Sequence, residues 1–241
     1  MLIYIYILFY INYIQYIYAI TTSNTDVLAL QSLYNATNGV NWAWKEDTSN
    51  NYYSSASPII WNFDNITNSN PCGNNWQGVR CTCPSGSSIC YVGGLDLVQY
   101  AMVGEIPPQL CDLDYIETLN LNNNNISGAI PLCLFTNNHI NEIQINYNML
   151  NESLPYINYA TVYPNSTLTT LDLSYNYITG SIPVSLIQII TNTIENLILN
   201  NNLFTGNMNE EILTSTSLVE CYLDNNHISG SLTTNIFNYS T

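Results

Sequence analysis

Two stretches decide the reading: residues 116–131, IETLNLNNNNISGAIP, and residues 168–183, LTTLDLSYNYITGSIP. Laid over one another they share apolar residues at places one, four, six, eleven and fifteen, asparagine at nine, glycine at thirteen and proline at sixteen. Four further copies start at Val92, Ile140, Ile194 and Leu218, so successive starts lie 24, 24, 28, 26 and 24 residues apart. Periods of this size belong to stacked arrays, in which no single unit can bury its apolar side alone. Leucines at places four and six alternate with polar residues, the pattern of a short strand with one face inward. Stacked in register, such strands make a parallel sheet along one side of a solenoid.

The conserved polar places have physical reasons. Ninth-place asparagines are Asn124, Asn148, Asn176, Asn202 and Asn226. An inward amide there can satisfy backbone donors and acceptors where the strand turns into the loop. Thirteenth-place glycines are Gly104, Gly128, Gly180, Gly206 and Gly230, where a turn would be obstructed by a side chain. Some copies depart from the pattern. The first has Tyr100 in place of asparagine, and the third has Glu152 in place of glycine. An excursion from Tyr156 to Thr167 is expected to bulge on the convex side or at one edge. The fifth and sixth copies carry Asn209 and Thr233 where proline belongs.

Charge excludes several functions. The chain of 241 residues has 17 acids against two bases, Lys45 and Arg80, for a formal net charge of -15. Two bases cannot neutralise a row of phosphates, so nucleic acid is not a partner. An anionic membrane surface would repel the chain. Hydrophobic residues at 46% also rule out a highly charged disordered chain.

The cluster Cys72, Cys81, Cys83 and Cys90 reads as a metal site or as disulfides. His139 and His227, the two histidines, lie far away, and Cys81-x-Cys83 lacks the two-residue gap of a zinc knuckle. Disulfides and an oxidising compartment are favoured. Met1 to Ile20 (MLIYIYILFYINYIQYIYAI) carries no charged side chain. It reads as a secretory signal cleaved near Ala19 or among Thr21 to Asn24, with an uncleaved membrane anchor as the rival.

The copies resemble plant-type leucine-rich repeats. The segment before them resembles the plant-type amino-terminal cap: a helical stretch at Asp26–Tyr34, then Trp42, Trp61 and the element Pro71-Cys72…Trp76-Gln-Gly-Val-Arg-Cys81. The resemblance implies an α/β fold. It is a right-handed leucine-rich repeat solenoid with a parallel β-sheet on the concave face and a disulfide-bonded cap over the first coil. The expected organisation is a leader at 1–20, a cap at 25–91 and six repeats at 92–241 without a carboxy-terminal cap. The chain would then be part of a longer ladder. Cys72–Cys81 and Cys83–Cys90 are the expected bridges. Cys111 and Cys133 fall on adjacent coils, where a third bridge or two thiols are both open, and Cys221 at an inward place reads as a buried free thiol. Trp42, Trp44, Trp61 and Trp76 are expected to pack. The long cysteine gap and the extra pair point to a relative outside land plants, a protist, and weaken transfer of a plant signalling role.

No nucleophile, base or metal constellation marks an enzyme, and no cofactor is implied. His139, His227, Asp112, Asp114, Glu210 and Glu211 read as solvated loop residues. The resemblance instead implies ligand binding on the concave face, made by the outward strand places. The candidates are Asp96, Asn120, Asn122, Glu142, Gln144, Asn146, Asp172, Ser174, Asn200, Tyr222 and Asp224, with Tyr147 and Tyr175 at the neighbouring eighth place. From Val92 onward the chain has thirteen acids and no base, so a charged ligand should be neutral to basic. The expected partner is an extracellular protein, peptide or glycan, met in secreted form or at the cell surface. Contact with a membrane would come only through a following region or an uncleaved leader. The alternatives are a receptor-kinase-like ectodomain for signalling and an adhesive matrix protein. Glycosylation sequons occur at Asn35, Asn65, Asn125, Asn151, Asn165 and Asn238. A chain this rich in Asn, Ser and Thr yields roughly six by chance, so their number carries no weight.

Overall fold

The computed structural model describes residues 20–45, 59–64, 69–158, 166–208, 211–212 and 215–230. The leader, most of the excursion after Tyr156, and the sequons at Asn65, Asn165 and Asn238 lie outside the described residues.

The inward leucine places make the sheet. Strands β1 (Thr21–Thr22), β2 (Val79–Thr82), β3 (Ile89–Asp96), β5 (Thr118–Asn120), β7 (Glu142–Gln144), β9 (Thr170–Asp172), β10 (Asn196–Ile198) and β11 (Glu220–Tyr222) form one sheet. Its spatial order is β1-β3-β5-β7-β9-β10-β11, with β2 antiparallel to β3 and every other pair parallel. Register is strict: Leu95, Leu119, Ile143, Leu171, Leu197 and Cys221 pair in succession. A one-residue slip would turn every one of these side chains outward. A second sheet joins β4 (Val103–Glu105), β6 (Asn125–Gly128) and β8 (Met149–Leu150) in parallel. Between the sheets runs one continuous core. Leu119, Leu121, Ile126, Ile143, Ile145, Leu171 and Leu173 are fully buried in it. The outer side is closed by short helical turns, α2 (Cys133–Thr136) and α3 (Val184–Ile190), which bury Leu134, Phe135, Leu186, Ile187 and Ile190.

The ninth-place amides tie coil to coil. Asn176 donates from Nδ2 to the carbonyls of Ile145 at 2.9 Å, Leu173 at 3.1 Å and Ser174 at 3.3 Å, and its Oδ1 accepts the Leu150 N–H at 3.0 Å. Asn124, Asn148, Asn202 and Asn226 repeat this set. Each sixth-place carbonyl from Leu121 to Leu199 thus accepts from its own coil's asparagine and from the next coil's.

The cap covers the first coil. Helix α1 (Asn24–Ala36) buries Val27, Leu30 and Leu33, spaced three apart on one face. Trp42, Trp61 and Trp76 are buried and Trp44 half-buried, in an aromatic cluster that reaches Tyr100. Cys72–Cys81, Cys83–Cys90 and Cys111–Cys133 are bonded; the last pair links the first and second coils. Cys221 is free and half-buried, and burial pushes its thiol pKa up. Gly104 sits under the helix end, where a Cβ would come within 2.0 Å of the Ala36 carbonyl oxygen.

Asp26 locks helix to coil. It is 3% exposed, and its Oδ2 accepts the Val92 N–H at 2.6 Å. Burial raises its pKa from 3.8 to about 6, against the pull of the Val92 and Ser23 hydrogen bonds. The folded chain therefore holds this proton more tightly than the unfolded one. The stabilisation is complete below pH 3.8 and is lost as pH rises to about 6. It amounts to at most about 3 kcal/mol. Asp26→Asn, which keeps the acceptor and cannot ionise, should flatten this part of a melting-temperature profile and raise the midpoint at pH 7. A profile unchanged by the substitution would refute the assignment. A second prediction concerns the amide row. Asn176→Ala takes the partner of the Leu150 N–H and one of the two donors at the Ile145 and Leu173 carbonyls, and should cost about 2–4 kcal/mol in denaturant unfolding. Asn176→Asp should be no better, because a carboxylate faces three carbonyls; retention of full stability by either would count against the row.

Candidate functional site

The outward strand places line one face of the large sheet, and the structure divides them into groups. At the cap end, Arg80 from β2 lies across the face. It donates to the Gly93 carbonyl at 2.8 Å and to Thr118 Oγ1 at 3.2 Å, and pairs with Glu117 at 3.1 Å. This occupies the outward place of Gly94, where a Cβ would meet Arg80 Nε at 2.9 Å. Next is a bonded polar group. Asn120 Oδ1 accepts the Asn122 N–H, Asn122 Nδ2 donates to Gln144 Oε1 at 3.0 Å, and Gln144 donates to Glu142. Asn122 Oδ1 accepts the Asn146 N–H at 2.9 Å. These side chains are half-buried, and Asn146 Oδ1 is buried without a partner.

Asp172 ends its strand by accepting from Ser174, through N–H at 3.0 Å and Oγ at 2.7 Å. Ser174 was expected on the ligand face but is only 4% exposed. Its short side chain folds back onto Asp172, which corrects the expectation for that residue. Beyond it, Asn200 is half-buried, while Tyr222 and Asp224 are exposed, and Asn225 Nδ2 donates to Asp224 Oδ2 at 3.0 Å. Asp96 is exposed at the other end.

The eighth places share one conformation. Gln99, Asn123, Tyr147, Tyr175, Asn201 and Asn225 all have positive φ, between 54° and 61°. In an unbroken strand the eighth side chain would follow the fourth and sixth inward. The left-handed residue turns the chain so that the ninth points in instead. Asparagine tolerates this backbone; tyrosine rarely adopts it. Tyr147 and Tyr175 nevertheless do so in adjacent coils. Their rings stack at 4.2 Å and 9°, and both are nearly half exposed. A side-chain hydrogen bond to Tyr175, with smaller contributions from burial and the Tyr175 and Asp172 charges, pushes the Tyr147 pKa up.

The opposite edge carries a run that sequence reasoning missed. The Tyr91 and Tyr115 rings meet at 4.3 Å with their planes tilted by 38°, and Tyr115 meets His139 edge-on at 5.3 Å. Each directly precedes the first place of its copy, a regularity visible in the alignment. A shallow cavity of about 360 Å³ opens there beside Cys111–Cys133, Asp114 and Asn137. His227, Asp112, Asp114 and Glu211 are exposed, and His139 is half-buried. Glu210 lies outside the described residues. Of the sequons, Asn35, Asn125 and Asn151 are exposed, and Asn151 Oδ1 accepts the Gly128 N–H. No helix among the described residues is long and apolar enough to cross a membrane.

A family model described as Leucine Rich Repeat matches residues 115–137 and 167–189. A protein of Arabidopsis thaliana described as a probably inactive leucine-rich repeat receptor-like protein kinase is 36% identical over 70 residues, 29% of this chain and 8% of that protein. Among solved structures, the LRR ectodomain of the receptor kinase SOBIR1 from Arabidopsis thaliana gives a TM-score of 0.64 at 22% identity, over 88% of this chain and 98% of that one. A plant ice-binding protein gives 0.63 at 24% identity, over 86% and 57% of the two chains. The structure of PEPR1 with AtPEP1 gives 0.54 at 27% identity, over 87% of this chain and 29% of that one. Repeat pattern, twin sheets, bonded cap and these likenesses agree: the chain folds as a leucine-rich repeat solenoid behind a disulfide-bonded cap, similar to the ectodomains of plant leucine-rich repeat receptor kinases.

Proposed function

We propose that this chain is an extracellular recognition module that binds a neutral-to-basic peptide or protein on the outward face of its large sheet. One observation carries the reading. Asp96, Glu142, Asp172, Glu220 and Asp224 stand at outward strand places, and no base follows Arg80 in the chain. A face of one sign attracts the opposite sign and speeds its arrival, increasingly so at low salt. The likeness to PEPR1 in its structure with AtPEP1, at 27% identity, supports a peptide or protein as the ligand. Three bonded cysteine pairs support an oxidising, extracellular setting. The role is binding, not catalysis. The match to a receptor-like kinase favours a second reading, in which the same face serves as part of a signalling receptor's ectodomain.

The test is a binding screen of the secreted chain against extracellular proteins, peptides and glycans. Any hit should then be measured with Asp96→Lys, Asp224→Lys and Asp172→Asn. The last keeps an acceptor for Ser174 and removes only charge. Each lysine variant should weaken a hit about tenfold, chiefly through a slower association rate. The wild-type rate should fall as salt rises from 50 to about 500 mM. Hits that bind every variant as they bind the wild type would exclude the face. Self-association without saturable ligand binding would favour an adhesive role.

A further inference from the structure

The eighth-place column shows what the fold requires and what it does not. Asn123, Asn201 and Asn225 fill this left-handed position in other coils, so the turn itself needs nothing larger than asparagine. Tyrosine here adds backbone strain, and such strain gathers where a protein binds something. Tyr147 and Tyr175 stack on each other with 47% and 43% of their surface exposed. Their neighbours in the column, Asn123 and Asn201, are shorter. The distal part of each outer ring face therefore projects beyond the column. Two places further along the same edge, Met149, Tyr177 and Leu203 are exposed at 45%, 51% and 40%. Apolar surface thus continues from the ring pair across three coils, in a ladder that carries thirteen acids and no base. Asp172 stands in the same coil as Tyr175, and its strand pairs with the one that leads into Tyr147, the Ile145 N–H donating to the Asp172 carbonyl at 2.9 Å.

We infer that the Tyr147–Tyr175 pair is the anchor for an arginine side chain of the partner. A guanidinium is planar and weakly hydrated, so it stacks on an aromatic face more readily than an ammonium does. Its three-carbon stem lies on Met149 and Tyr177 while its charge faces Asp172. The inference rests on the reading that this side of the solenoid binds a neutral-to-basic peptide or protein, and it names the group that is held.

The experiment uses acetyl-Gly-Arg-Gly-amide as the probe, with the citrulline peptide as its neutral isostere, followed by the tyrosine ring resonances of the secreted chain. The arginine peptide should shift the Tyr147 and Tyr175 signals and bind about tenfold more tightly than the citrulline peptide. The double variant Tyr147→Asn with Tyr175→Asn should lose about tenfold in arginine-peptide affinity. Its thermal midpoint should hold or rise by up to about 4 °C, because asparagine suits this backbone. A fall in midpoint would make the pair a structural element and overturn the inference. So would equal binding of the two peptides, or unchanged affinity in the double variant. If Asp96→Lys or Asp224→Lys weakens the arginine peptide while the tyrosine variant does not, the acidic face stands and the anchor falls. If neither set of substitutions matters, both readings fall together.

Discussion

The whole ladder depends on one interaction, the inward asparagine amide. At the sixth place the strand ends, and carbonyls that point into an apolar interior need donors. Each asparagine supplies them to two coils at once. Asn148 donates to Leu121 of the preceding coil and to Ile145 of its own, and accepts the Ile126 N–H. An amide is suited to this because it carries donors and an acceptor on one short, rigid group. The left-handed eighth residue follows from it. Without that turn the ninth side chain would face water and the carbonyls would stay unpaired. Register, the turn and the stacking distance between coils thus come from the same requirement.

The first coil shows what happens where no preceding coil exists. An asparagine there would find no earlier carbonyl to serve. Tyr100 takes its place, with its hydroxyl 3.2 Å from Gln77 Oε1 and its ring against Trp42 and Trp44. Gln77 also bonds both ways with the Lys45 backbone, and its own carbonyl accepts the Trp61 indole N–H. The cap therefore replaces a row of amides by a glutamine wrapped in aromatic rings. Arg80 completes the closure by crossing the sheet edge above Gly94. The departure at Tyr100 is a device for starting the stack rather than a decayed repeat.

The architecture was legible because each inward place repeats with one chemical reason. Leu119, Leu171 and the asparagine row are visible to anyone who aligns the copies. The candidate face was legible only as a set of places. Strand alternation says that Ser174 points outward, but it cannot say that a short hydroxyl folds onto Asp172 and disappears beneath its neighbours. Nor does alternation show that Asn120, Asn122, Gln144 and Glu142 bond to one another across coils. Those contacts join residues 22 or more apart as well as near neighbours. The stacking of Tyr147 on Tyr175 was in reach: two aromatic residues at one place of successive copies must lie one coil spacing apart.

The surface can carry so lopsided a charge because the fold does not use charge. Among the described residues the ion pair Arg80–Glu117 is the one salt bridge, and both side chains are over 40% exposed, a setting in which such pairs contribute about 0–1 kcal/mol. Cohesion comes instead from buried leucines and neutral amides, which are indifferent to the sign of the outer places. Acids on the sheet face add repulsion between neighbouring coils. Asp172 offsets part of this by ending its strand through Ser174, but Asp96 and Asp224 make no comparable backbone contact. A face whose charge is dispensable for folding is free to be matched to a partner.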